Sequence, residues 1–242
     1  MSPDAFTTAY TLDYVTHHLP PQGQRLLEVG CGQGQLARAL LDLGYDVVAV
    51  DEDHDAVASA RQRGVTAHHA QWPDLNVSGF DAILFTRSLH HIHALRHALD
   101  RARSALNPGG SVMVEDFRYS DLDGRTIAWF AGTTRLLLAT GVLDRRDEWL
   151  TSLSQAGDPV PVWRANHGHD LHTADEIDGV LGEVFEEVER VGCAYFFRYI
   201  SRAVSTAAQR AKVGEAFAAL EESLAHSNQI QPLGQRFLAR SG

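Results

Sequence analysis

Short apolar runs alternate with amphipathic stretches along the first half of the chain. Residues 25–30, 46–51, 80–85 and 111–117 are built mostly from Val, Leu, Ile, Phe and Ala and are bounded by polar or turn residues. Such runs read as strands buried on both faces. Asp46-Val47-Val48-Ala49-Val50-Asp51 is the clearest of them, and 65–70 is a weaker member of the set. Between the runs the apolar period lengthens. Leu36, Leu40 and Leu43 form one helical face, and Leu95, Leu99, Ala102 and Leu106 form another. Gly44 and Gly64 stand where helices should stop, and Asn107-Pro108-Gly109-Gly110 separates a helix from the fifth strand. Phe6, Tyr10 and Tyr14 place an amphipathic helix over 4–19, closed by Pro20-Pro21.

Strand–helix alternation predicts a parallel sheet with helices on both faces. The rhythm breaks over 118–172, where Ile127, Phe130, Thr134, Leu137 and Leu138 fit a helix and 155–172 reads as a loop rich in Gly, Pro, His and Asp. A connection of ~50 residues far exceeds the usual two to six, so the segment reads as an inserted lid. Thr173-Ala174-Asp175-Glu176 carries a capping-box pattern that opens a helix to Leu181. Residues 185–191 and 232–240 read as strands six and seven. Val213, Phe217, Leu220 and Leu224 give a stripe on a helix between them.

Glu28-Val29-Gly30-Cys31-Gly32-Gln33-Gly34 joins the first strand to the next helix. Glycines at alternate positions let a backbone turn pass close to a ligand. A dinucleotide turn reads G-x-G-x-x-G, whereas the third glycine here comes one place early. Glu28 would also set a carboxylate near a pyrophosphate, which is unfavourable. S-adenosylmethionine (SAM) has no phosphate and carries an ammonium and a sulfonium, so an acidic first turn suits it. Asp51, at the end of the second strand, can accept hydrogen bonds from both hydroxyls of a ribose.

The glycine turn resembles motif I of the class I SAM-dependent methyltransferases, E/D-x-G-x-G-x-G. The resemblance continues through Asp51, through Thr86-Arg87-Ser88-Leu89-His90-His91-Ile92 after strand four, and through Pro108-Gly109-Gly110, and it covers most of residues 20–117. It implies one methyltransferase domain over 1–242. The implied fold is α/β, a doubly wound, seven-stranded, mostly parallel sheet of order 3-2-1-4-5-7-6 with strand seven antiparallel. A cap helix over 1–20 and a lid over 118–172 complete it. SAM is the implied cofactor and S-adenosylhomocysteine (SAH) the product. The implied cofactor residues are Glu28, Gly30, Cys31, Gly32, Gly34, Asp51, Glu52, Gln71, Trp72, Arg87, Ser88 and Leu89. Gln71 stands roughly where the family often carries an acid for the adenine amine. Its amide oxygen can still accept, and Trp72 can cover the adenine face or anchor the core.

On the acceptor side, His91 is the first candidate, because strand four should open there into the cleft. His167 is the second, within His167-Gly168-His169-Asp170-Leu171-His172. Glu115, beside Asp116 at the end of strand five, is the third; a charged strand end paired with an arginine is the alternative. The H-x-H-x-x-H spacing matches no common zinc pattern, so no metal is expected. A net charge of -10 argues against nucleic-acid partners. No apolar stretch reaches the ~18 residues of a membrane span, and no signal-peptide pattern opens the chain. The two cysteines suggest no disulfide framework, so a cytoplasmic setting is expected. The expected reaction is methyl transfer to a small-molecule acceptor. The rival readings are a SAM-binding scaffold without activity and a nicotinamide-dependent oxidoreductase.

Overall fold

The computed structural model describes residues 5–19, 23–167 and 171–241. Of these, one compact unit takes the residues within 8–116, 171–191 and 235–241, and a second takes those within 5–7, 117–167 and 192–234. The seven strands are β1 Arg25–Val29, β2 Asp46–Asp51, β3 Thr66–His69, β4 Phe80–Thr86, β5 Leu106–Phe117, β6 Glu187–Cys193 and β7 Gly234–Arg240. They form one sheet of order β3-β2-β1-β4-β5-β7-β6. All pairings from β3 across to β5 are parallel. The N–H of Glu186, just before β6, donates to the carbonyl of Arg240 at the end of β7, 3.1 Å away. Gly234, opening β7, lies against Cys193, which ends β6. These contacts match β7 to β6 end to start, the antiparallel sense expected of strand seven.

At β1, β2, β4 and the second half of β5 both faces are covered, which is why these strands are apolar without alternation. On one face Tyr14 and Val15 of α1 (Ala5–His18), with α2 (Gln35–Asp42) and α3 (His54–Gln62), pack on Leu26, Ala49, Ala82, Leu84 and Met113. On the other, α4 (Leu95–Ala105) and α8 (Ala174–Val184) pack on Leu27, Val29, Ile83, Phe85, Val112 and Val114. The capping box that opens α8 is present, with Thr173 and Glu176 bonded to each other's backbone N–H groups. β5 begins at Leu106 rather than at 111, directly after α4. Pro108-Gly109-Gly110 is therefore a bulge within the strand, where pairing jumps from Phe80↔Leu106 to Ala82↔Ser111. A Cβ on Gly110 would meet the Asn107 carbonyl at 3.0 Å, so the bulge needs glycine there.

The helical unit holds α5 (Gly124–Ala139), α6 (Glu148–Gln155), α7 (Val160–His167), α9 (Phe196–Ala203) and α10 (Ala207–His226). The stretch read as a loop over 155–172 thus contains α7. Its start is held by the Asp158 carboxylate, which accepts from the Val160 N–H, and Pro161 falls in the first turn, where proline is tolerated. Trp163 gives the helix its anchor, fully buried with its indole N–H on the Tyr119 carbonyl at 2.9 Å. Residues 168–170 of the histidine-rich segment, and Pro20-Pro21, lie outside the described residues. α9 buries Phe196 and Phe197 in the helical unit.

The stripe expected on α10 is also displaced. Leu220 is exposed, and the buried positions are Gly214, Phe217, Ala218 and Glu221. A Cβ at 214 would sit 2.4 Å from Ser201 Oγ, so glycine there leaves room for that hydroxyl. Glu221 is buried because it caps α9. Its Oε1 accepts from the N–H groups of Tyr195 (2.6 Å) and Phe196 (3.0 Å), and its Oε2 from Phe197 (3.2 Å). One carboxyl thus accepts from three N–H groups at the start of the helix. Replacing Glu221 with Ala removes all three bonds, each worth about 1–3 kcal/mol. Urea unfolding should therefore show a loss of at least about 3 kcal/mol. A loss below about 1 kcal/mol would remove this carboxyl from the unit's framework.

Candidate active site

The glycine turn between β1 and α2 is tied down on two sides. The N–H groups of Gly30 and Cys31 both donate to the Val50 carbonyl, at 2.9 and 3.2 Å, which fixes the turn to the end of β2. Ser88, just after β4, donates from Oγ to the Val29 carbonyl at 2.6 Å. This draws the β4 loop so close that a Cβ on Gly30 would lie 2.4 Å from the Ser88 Cβ, at a left-handed φ of 74°. Only glycine fits at that crossing. Gly34 allows a second close approach, its absent Cβ falling 2.8 Å from that of Ala60 on α3.

Asp51 completes the turn. Its Oδ2 accepts from the Gly32 N–H at 2.7 Å and its Oδ1 from the Asp53 N–H at 2.9 Å. Asp53, not Asp51, caps α3, accepting from Asp55 and Ala56, and those two N–H groups hold its carboxyl below the usual carboxylate range. Each Asp51 oxygen keeps a lone pair for a ligand hydroxyl.

Beside the turn opens a cavity of about 610 Å³, a size that suits a cofactor. Of the expected cofactor residues, Gly30, Asp51, Glu52, Gln71, Trp72, Arg87 and Ser88 line it, together with Val29, Val50, Ala70, Ile92, His93 and the acceptor-side candidate His91. Trp72 is both wall and anchor: it is buried, and its indole N–H donates to the Ala98 carbonyl at 3.1 Å. Leu89 is wholly buried in the core on the α4 side and opens the 3₁₀ turn Leu89–His91. Gly32 acts through its N–H to Asp51. Cys31 is buried, and burial pushes its thiol up to about 12, which makes it an unreactive packing group.

Glu28 is 2% exposed and is not among the lining residues. Burial raises its carboxyl to about 8 against the opposing pull of the Arg87 charge. Its Oε1 accepts from the Thr86 hydroxyl at 3.4 Å, while Oε2 has no hydrogen-bond partner among the described residues. It is mostly neutral at pH 7, so its expected part as a carboxylate facing the ligand has no geometric support.

The strand-five acids divide. Glu115 is buried in an ion cluster: Oε1 accepts from Thr11 Oγ1 (2.8 Å) and Arg87 Nη1 (3.1 Å), and Oε2 from Arg236 Nε (2.9 Å) and Nη2 (2.7 Å). Arg236 in turn lies 4.6 Å from the ring centres of both Tyr10 and Tyr14. This is the arginine-paired alternative, and Glu115 does not line the cavity. Asp116 lies 2.6 Å from Nδ1 of buried His90 and also accepts from the His90 backbone N–H at 3.3 Å. The His90 ring centre is 4.0 Å from that of exposed His91. The His90–Asp116 pair was not foreseen as a pair, because residues so far apart in the chain meet only once β4 and β5 are neighbours.

The two histidines of the 167–172 segment that are described belong to different units. His172 donates its backbone N–H to the His90 carbonyl at 3.0 Å in the sheet unit. In the helical unit His167 is buried, its Nδ1 2.9 Å from the Trp163 carbonyl and its Nε2 3.0 Å from the Tyr199 hydroxyl. The carbonyl can only accept, so Nδ1 carries the proton and Nε2 accepts from the phenol. Burial keeps the Tyr199 phenol well above its ordinary range. No cluster of His, Cys, Asp or Glu among the described residues is arranged to hold a metal ion.

Residues 7–183 match the family described as Methyltransferase domain. The chain belongs to this methyltransferase family. An uncharacterized methyltransferase of Mycobacterium tuberculosis (strain ATCC 25618 / H37Rv) is 37% identical over 105 residues, 41% of this chain and 53% of the relative. The match thus spans about half of that relative's length. The ubiquinone biosynthesis O-methyltransferase of Xanthomonas axonopodis pv. citri is 27% identical over 212 residues, 80% of this chain and 81% of the relative. Among solved structures, the N-methyltransferase NodS from Bradyrhizobium japonicum WM9 in complex with SAH shares the fold. Its TM-score is 0.55 at 16% identity, over 99% of this chain and 87% of that one. SAM is the methyl donor of the family. The methyltransferase's own residues fit it: the cavity combines a carboxylate with lone pairs to spare, an exposed amide at Gln71, an indole wall, and a turn whose approach a Cβ would block.

The buried Glu28 makes stability depend on pH. Its folded value, about 8, lies above the ordinary 4.5, so the fold holds this proton more tightly than the unfolded chain does. That contribution is complete below about pH 4.5 and is lost as pH rises through about 8. Glu221 acts in the same direction, its carboxyl also raised to about 8 by burial. Melting temperature should therefore fall between about pH 5 and 8. Glu28→Gln, a neutral isostere, should flatten that fall and stabilise the protein at pH 8 by on the order of a few kcal/mol. An unchanged slope in the variant would show that Glu28 is ionised in the fold.

Proposed function

We propose that this methyltransferase moves the methyl group of SAM onto a small-molecule acceptor. The observation that carries the reading is the Asp51 carboxylate, which holds the Gly32 N–H at 2.7 Å inside the cavity wall. The N–H group that a dinucleotide's pyrophosphate would need is already taken. Asp51 and its neighbour Glu52 also place negative charge where phosphates would lie. A nucleoside without phosphates meets neither obstacle, and this counts against the nicotinamide reading.

When bound, SAM supplies an activated methyl carbon on its sulfonium, open to in-line attack by a nucleophile. Asp51 receives the ribose hydroxyls, Gln71 accepts from the adenine amine, and Trp72 covers the adenine face. Gly30 and Ser88 set the wall along the remainder of the ligand. Positioning of this kind supplies much of the acceleration for a displacement reaction. His91 is assigned the acceptor proton, as the exposed imidazole lining the cavity. Asp116 holds His90, and His90 packs on His91, so both act as positioning residues for that ring. Glu115 is assigned a positioning part as well, through Arg87.

Within the helical unit, the Tyr199–His167 pair is flanked by Tyr119 and Trp149 as its polar feature. Support for a small acceptor comes from the excess of acidic residues, which disfavours nucleic acid, and from a relative named for ubiquinone biosynthesis. No helix among the described residues is long and apolar enough to cross a membrane. Both cysteines are buried free thiols, in keeping with a cytoplasmic enzyme.

Titration calorimetry with SAH and NADH tests the cofactor. SAH should bind and NADH should not, and Asp51→Ala should weaken SAH by roughly 10- to 100-fold. Protein free of carried-over ligand that binds no SAH would overturn the reading. His91→Ala should lower SAH release in the presence of a metabolite mixture by on the order of 100-fold while leaving SAH affinity within about twofold. Full turnover in that variant would remove His91 from the chemistry. Wild-type protein that binds SAH but releases none with any acceptor pool would favour a scaffold.

A further inference from the structure

His172 does not line the cavity, yet it holds the segment that does. Between β4 and α4 the chain makes one 3₁₀ turn, Leu89–His91, and then runs through Ile92, His93 and Ala94 into α4. His91, Ile92 and His93 are consecutive members of the cavity wall. Local hydrogen bonds hold the first part of this stretch. The N–H of His91 donates to the Ser88 carbonyl and that of Ile92 to the Leu89 carbonyl, both at 3.1 Å. A single 3₁₀ turn is weakly held by such bonds, whose geometry is poorer than in an α-helix. Ile92 is then extended, and Ala94, at the N-cap of α4, has no side chain that could cap the helix.

His172, just before the capping box of α8, supplies a long-range hold. Its backbone N–H donates to the His90 carbonyl at 3.0 Å. Its Nε2 lies 3.1 Å from the Ile92 carbonyl and 3.2 Å from the His93 carbonyl. Both carbonyls can only accept, so Nε2 carries the proton and shares it between them. Nδ1 is 3.9 Å from Glu176 Oε2, beyond hydrogen-bond reach, so the two carbonyls set the aim of the ring. The three contacts bracket His91, one before it and two after it. All of these groups belong to the sheet unit. Ile92 and His172 are 80 positions apart, so the contact exists only once that unit has folded. The wall is then ordered by the fold rather than by the ligand. Ordering a free loop at the moment of binding costs conformational entropy that a preorganised wall has already lost.

We propose that His172 is a positioning residue for this cavity. It staples residues 90–93 to the start of α8 and so sets the wall formed by His91, Ile92 and His93 before a ligand arrives. The same contact fixes the backbone that carries His91, the imidazole assigned the acceptor proton. The staple stands on this geometry, and its service to a cofactor rests on the SAM reading above.

Calorimetry with SAH and amide hydrogen exchange of the ligand-free protein test it together. His172→Ala removes the ring and leaves the backbone bond to His90. It should weaken SAH by roughly tenfold. Exchange at the His91 and Ile92 amides should speed up by roughly tenfold or more, while the amides of β4 keep their protection. His172→Gln, whose side-chain amide can place an N–H where Nε2 stands, should restore both quantities to within about threefold of wild type. Thr173→Ala breaks the cap of α8 without touching either carbonyl. It should lower thermal stability yet leave SAH affinity within about twofold, which separates a positioned wall from a weakened helix. Unchanged SAH affinity or unchanged exchange in His172→Ala would overturn the proposal. So would a Gln variant as weak as the Ala variant, or equal weakening in Thr173→Ala. If wild type itself binds no SAH, the SAM reading falls and takes the cofactor role with it, whereas equal binding by wild type and His172→Ala sinks the staple alone.

Discussion

The contact on which the site depends is the Asp51 carboxylate, shared between the N–H groups of Gly32 and Asp53. It converts a flexible run of glycines into a fixed turn. With Gly30 and Cys31 also bonded to the Val50 carbonyl, the β1 turn and the end of β2 become one rigid piece. The close crossing of Ser88 over Gly30 then adds the end of β4 to the same piece. The three strand ends that meet at the cavity are therefore fixed to one another by hydrogen bonds onto backbone groups and by a steric limit at Gly30. This is the rigidity that a positioning mechanism needs.

Most of the sheet was legible in the sequence, because a strand buried on both faces leaves a contiguous apolar run and a glycine stop. β2 carried both marks and its ends were read correctly, as was the strand order implied by the family resemblance. The reading failed where tertiary partners outweigh local pattern. The stretch 155–172 looks like a loop because of its Gly, Pro, His and Asp residues, and α7 forms within it around the buried Trp163. The buried face of α10 turned away from its most apolar stripe because Gly214 and Glu221 each have a contact that no leucine could make. Neither contact has a signature in a single sequence.

The functional residues divide along the same line. Gly30, Asp51, Gln71, Trp72, Ser88 and His91 could be placed at the cavity because motif order and strand ends fix where they stand. What could not be read was which acids would be silenced. Glu115 and Asp116 are adjacent in the chain, yet one lies between two arginines and the other beside His90. Adjacent residues of a strand point to opposite faces, so their partners come from different elements, and those elements are assembled only by the fold.

Glu28 shows how an apt prediction can rest on the wrong group. Its charge was expected to repel a pyrophosphate and attract a cationic cofactor, but burial leaves it mostly neutral at pH 7. The repulsion is supplied instead by Asp51 and Glu52, which line the cavity, and Asp51 additionally occupies the Gly32 N–H.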